Sequence, residues 1–128
     1  MITRNDSSNS FSLNARLKSF RYAFEGLTAF LAAEHNAIIH LLITISVFIA
    51  AAFFGLSKGE WIAIILATGV VWAAELFNTA IEKLSDLLSE DFHPGIKYIK
   101  DVSAAAVLIV AVAAFLIGLI IFLPKILM

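Results

Sequence analysis

Three apolar runs, at about residues 36–56, 60–82 and 102–123, limit what this chain can become. Each reaches the roughly 20 residues with which an α-helix crosses about 30 Å of hydrocarbon. With 61% of its 128 residues hydrophobic, a water-soluble domain of this size would have nowhere to put its apolar surface. The expected fold class is all-α integral membrane, with three transmembrane helices. The lack of cysteine carries no weight, since a membrane bundle needs no disulfide.

The polar flanks suggest orientation. MITRNDSSNSFS has no apolar core behind a charged start, so no cleavable signal is expected, and residues 1–11 read as a mobile tail. Arg4, Arg16, Lys18 and Arg21 precede the first run and Lys83, Lys97 and Lys100 separate the second from the third, leaving Lys58 and Lys125 for the other side. By the positive-inside rule the N-terminus and the 83–101 segment face the cytoplasm, and the hairpin Gly55–Gly59 faces out. The net charge of −1 points to no nucleic-acid partner, and none is expected. Between tail and first run, Leu13, Leu17, Phe20, Phe24, Leu27 and Leu31 recur at steps of four and three, which predicts an amphipathic surface helix over residues 12–34. Its basic residues suit the cytoplasmic membrane interface. The helix is expected to run on through Ala32–Asn36 into the first span, with a bend, and Pro94-Gly95 reads as a break before a third helix that starts at about Ile96.

The second run ends in AAELFNTAIEKLSDLL, and at 100° per residue Glu75, Asn78, Thr79, Glu82 and Asp86 share one stripe, while Leu76, Phe77, Ile81, Leu84 and Leu87 take the other faces. An acid within a span costs roughly 2.5 to 3.5 kcal/mol at its centre and less toward the ends, so lipid is not what this stripe faces. Clustered carboxylates repel unless a cation or a proton joins them. Two classes of function follow. Carboxylates of this kind can hold a hard divalent ion such as Mg²⁺, with one more serving as general base toward a hydroxyl. Alternatively, a membrane acid alternates between protonated and cation-bound states in a small proton-coupled transporter. Lys100, at the cytoplasmic start of the third run, favours the first class, because a lysine there can meet the phosphates of a nucleotide. His35, His40 and His93 lack the spacing of a zinc or di-iron site, and no GxxxxGK[ST] loop occurs.

Glu75-Leu76-Phe77-Asn78-Thr79-Ala80-Ile81-Glu82 with Asp86, then His93-Pro94 and Lys100-Asp101 ahead of Ala104–Leu108, together with Glu34-His35-Asn36 and His40, resembles the prokaryotic diacylglycerol kinase family, which includes undecaprenol kinases. The resemblance covers the chain from Arg16 through the third run. Where undecaprenol kinases commonly carry glycine, this chain has Ala105. It implies a single membrane lipid-kinase domain over 1–128, a homotrimer with active sites between subunits, and a multi-pass protein of the bacterial cytoplasmic membrane. It also implies transfer of the γ-phosphoryl group of MgATP to a lipid hydroxyl, with undecaprenol ahead of diacylglycerol. By motif position Glu75 would be the base, Glu34 and Glu82 would hold Mg²⁺, and Asn78 and Lys100 would contact phosphates. Asp86 and Asp101 would orient that shell, and Asp91 and His93 would lie near the nucleotide. The alternative remains a small proton-coupled transporter or a non-catalytic membrane assembly.

Overall fold

In the computed structural model, which describes residues 12–128, the chain forms α1 (Leu13–Ala33), α2 (His35–Phe54), α3 (Lys58–Leu88) and α4 (Pro94–Leu127). The N-terminal tail lies outside the described residues. The described residues divide into two compact units, one ending at Ile38 and the other running from Ile39 to Met128, with the boundary inside α2.

In the first unit Ser12 starts α1 by accepting the Ala15 N–H at its side-chain oxygen, 3.3 Å away, which satisfies one of the donors a helix start leaves open. Leu13, Leu17, Phe20 and Phe24 are exposed along α1, and Arg21 pairs with Glu25 one turn on. The expected run-on is interrupted at a single residue, Glu34, inside the Ala32–Asn36 stretch where a bend was expected. Glu34 is extended (φ −112, ψ 119), its N–H closes α1 onto the Phe30 carbonyl, and its own carbonyl accepts from Ala37 in the first turn of α2. Neither proline nor glycine marks this break, so nothing local in the sequence announces it.

The second unit holds most of α2 together with α3 and α4, and α2, α3 and α4 are each long and apolar enough to cross a membrane. Gly55 ends α2 with φ +67, a left-handed conformation that a glycine takes without steric cost. Ser57 and Glu60 then start α3 with a reciprocal capping box: Glu60 N–H donates to the Ser57 hydroxyl, and Ser57 N–H donates to the Glu60 carboxylate. The same carboxylate meets Lys125 of α4 at 3.2 Å. Ala51, Leu56, Ile64 and Ile121 form the buried cluster beneath this end, flanked by the ring pairs Phe48–Trp61 and Phe54–Phe122. Cap, ion pair and core thus hold the three helices together at the end remote from the acidic stripe.

At the other end the helices outrun the expected spans. α3 has 31 residues and α4 has 34, about 46 and 51 Å long at 1.5 Å per residue, against about 30 Å of hydrocarbon. The segment read as a loop over 83–101 shrinks to residues 89–93, and Asp86, Lys97, Lys100 and Asp101 all stand on helix. Pro94 opens α4 rather than breaking the chain. It occupies the first helical turn, where its missing N–H is no loss, and His93 caps that turn by accepting the Gly95 N–H at Nδ1, 3.0 Å away. A methyl group on Gly95 would come within 3.1 Å of the imidazole, so a larger residue there would require the ring to shift by a few tenths of an ångström. Replacing His93 by alanine should lower stability by about 0.5 to 2 kcal/mol, with His93→Asn recovering most of the loss. Denaturant unfolding in detergent micelles measures both; equal stability of all three proteins would remove the cap from the account.

Candidate active site

Four residues on two helices lie toward the end of the second unit that carries the acidic stripe. On α3 the Glu75 side chain is only 13% exposed, and its Oε1 lies 2.7 Å from Nε2 of His40 on α2, close enough to pair with it. One turn further along α2, the Thr44 hydroxyl donates to the His40 carbonyl at 2.7 Å and accepts the indole N–H of Trp72 at 2.9 Å. Trp72 lies one turn before Glu75 and meets the His40 ring edge-on, with centroids 6.4 Å apart. Two polar rungs, His40–Glu75 and Thr44–Trp72, therefore cross between antiparallel helices among otherwise apolar side chains. Polar contacts in such surroundings are stronger than in water.

One turn on from Glu75, the side-chain oxygen of Asn78 is buried and has no hydrogen-bond partner among the described residues. A buried acceptor left so costs on the order of 1 to 3 kcal/mol, and such a cost at a native site calls for a ligand or a water. Beyond it, Lys100 of α4 reaches across to Asp86 of α3, with 2.6 Å between Nζ and Oδ1, and Lys100 feels the charge of Glu82 as well. This pair is largely open, 37% and 57% exposed. From buried to open, the stripe offers a paired carboxylate, an unsatisfied amide oxygen, a second carboxylate and a tethered ammonium.

The remaining expected residues fall into two groups. Asp101 pairs with Lys97 along α4. The backbone of Asp91 bonds to the Ser89 hydroxyl within the 89–93 connection, and His93 caps α4. Glu34 belongs to the first unit, at the break between α1 and α2. From the sequence His40 enters only as part of the family motif, with no role given to it, and Thr44 and Trp72 were not singled out. His40 stands 35 positions before Glu75, and no local spacing could pair them.

Among the described residues no three His, Cys, Asp or Glu side chains gather as they would around an ion that the protein alone encloses. A magnesium ion at a phosphoryl-transfer site needs less, one or two carboxylates with phosphate and water oxygens completing its shell. The oxygen donors of Glu82 and Asn78 fit that requirement. Beside the His40–Glu75 pair, a cleft of about 440 Å³ opens between α2, α3 and α4. His40, Thr44 and Trp72 line its polar end and Ile64 and Phe122 its apolar end.

The family model described as prokaryotic diacylglycerol kinase matches residues 21–122. An undecaprenol kinase of Bacillus subtilis (strain 168) is 41% identical over 113 residues, which cover 88% of this chain and 92% of that protein. A diacylglycerol kinase of Synechocystis sp. is 36% identical over 112 residues, 87% of this chain and 64% of that one.

Proposed function

The chain belongs to the prokaryotic diacylglycerol kinase family and is a membrane enzyme that phosphorylates a lipid alcohol, and from that premise we propose that it transfers the γ-phosphoryl group of ATP to undecaprenol. Diacylglycerol is the second candidate acceptor. The higher identity to the undecaprenol kinase supports that order.

The observation that carries the catalytic reading is the stripe itself, with Glu75 paired to His40 at its buried end and Lys100 at its open end. In the proposed reaction the lipid hydroxyl oxygen forms a bond to the γ-phosphorus as the bond to the ADP oxygen breaks, and Glu75 takes the hydroxyl proton. Reach decides most of the rate, because bringing the hydroxyl within about 3 to 3.5 Å of the phosphorus supplies much of the barrier reduction. A lipid hydroxyl stays at headgroup depth, so carboxylates at the end of a span come to it. Asn78 and Lys100 contact the phosphates, Asp86 and Asp101 orient them, and Asp91 and His93 lie toward the nucleotide. Glu82 is the proposed Mg²⁺ ligand, and the family resemblance alone adds Glu34. Bound Mg²⁺ would neutralise phosphate charge. The cleft next to His40 is apolar over most of its wall, which suits a hydrocarbon chain attached to that hydroxyl.

The proposed setting is the bacterial cytoplasmic membrane, with the N-terminus and the 89–93 connection in the cytoplasm, where Arg16, Lys18, Arg21, Lys97 and Lys100 stand. The exposed Leu13, Leu17, Phe20 and Phe24 support an interfacial position for α1. Large apolar side chains exposed on α2, α3 and α4, among them Leu42, Ile65 and Leu108, are open to lipid or to the helices of a proposed homotrimer.

Transfer of label from γ-labelled ATP in mixed detergent–lipid micelles with Mg²⁺ tests this reading, with undecaprenol and diacylglycerol offered separately. Label on undecaprenol, lost on chelation of the metal, is expected. Label on diacylglycerol alone would move the acceptor, and label on neither lipid, from folded protein, would return the chain to the transporter class.

A further inference from the structure

We propose that His40 is a positioning residue for phosphoryl transfer, acting through Glu75: its Nε2–H holds one carboxylate oxygen so that the other faces the acceptor hydroxyl. The inference rests on the reading of Glu75 as the base. A glutamate on a helix surface has three side-chain torsions, and a general base must stand within about 2.6 to 3.2 Å of the proton it removes. Among the described residues the 2.7 Å contact with His40 is the polar contact of the Glu75 carboxylate, and it engages Oε1. Oε2 is left for a proton.

His40 is itself held in place. Thr44 grips the backbone carbonyl of His40 and receives the Trp72 N–H, and the Trp72 ring flanks the imidazole. Trp72 and Glu75 sit one turn apart on α3, as His40 and Thr44 do on α2, so the second rung fixes the helix register at which the first can form. A carboxylate supported in this way is preorganised by a rigid neighbour rather than by a loop. Nε2 carries a proton in the imidazolium and in one neutral tautomer, so the contact does not depend on the charge of His40.

A merely structural latch between α2 and α3 would use the same contacts, and kinetics separate the two roles. We would measure kcat and KM for MgATP, together with thermal stability, on the full-length protein in mixed micelles for His40→Asn, His40→Gln and Thr44→Val. An asparagine is too short to reach Oε1, whereas a glutamine amide can take the place of Nε2. Since misplacement of a reacting group by about 1 Å can cost about 10²-fold, His40→Asn should lower kcat by about 10- to 10²-fold with KM for MgATP within about twofold. His40→Gln should recover kcat to within about fivefold of wild type, and Thr44→Val, which removes both the Trp72 rung and the bond to the His40 carbonyl while leaving the imidazole in place, should fall between the two.

The companion variant Glu75→Gln sorts the outcomes. If it keeps wild-type activity, the base reading fails and the role of His40 falls with it. If it is inactive while His40→Asn keeps wild-type kcat, this inference alone is overturned. The same holds if His40→Asn loses activity only in proportion to lost folded protein and His40→Gln gives no rescue.

Discussion

Glu75→Gln should abolish lipid phosphorylation while leaving the protein folded. The side-chain amide oxygen of glutamine can take the place of the Glu75 oxygen that meets His40, so the rung between α2 and α3 survives the change. What disappears is the anionic oxygen that receives the hydroxyl proton. Loss of a positioned general base costs about 10²- to 10⁴-fold in rate. Stability should shift far less, since the glutamine has the same shape and keeps an oxygen where Glu75 meets His40. Single-turnover transfer of label from ATP, read beside the elution volume of the purified protein, checks both halves. Activity within threefold of wild type would remove Glu75 from the chemistry.

The second large effect is expected at Lys100. Its ion pair with Asp86 is short but open, and exposed pairs of that kind contribute about 0 to 1 kcal/mol to stability. Lys100→Met should therefore leave the unfolding midpoint nearly unchanged. A cation facing transferring phosphate is worth far more, and its removal should lower kcat/KM for ATP by about 10²- to 10³-fold, the range seen for loss of a charge-stabilising donor. Asp86→Asn keeps the lysine but weakens its tether, so its loss in kcat/KM should be smaller than that of Lys100→Met. If both variants lose activity equally, Asp86 does more than hold the lysine. If Lys100→Met keeps its kcat/KM, the phosphate contact belongs elsewhere.

The acidic stripe was legible because helical periodicity is local. Glu75, Asn78, Glu82 and Asp86 must share a face on any helix that carries them, and α3 does run unbroken through all four. The hairpin between α2 and α3 was legible for a similar reason, with Gly55 and Ser57 two residues apart supplying a stop and a start. Two boundaries were misread. Pro94-Gly95 looks like a break because proline cannot continue a helix, yet a proline at the first position has nothing to continue, and His93 supplies the cap. At Glu34 the chain leaves the helix without any residue that forces it to do so.

By itself the sequence determined the solvent, the number of spans and the face on which the acids lie, since these follow from run length and from a period of 3.6 residues. Tertiary structure alone decided which groups those acids meet. His40 reaches Glu75 across 35 residues and Lys100 reaches Asp86 across 14, and each contact exists only at one register of two helices packed side by side. That register depends on the Trp72–Thr44 rung, the ion pair of Lys125 with Glu60 and the packing of Ile64 and Ile121, contacts between residues far apart in the chain whose geometry no local spacing encodes.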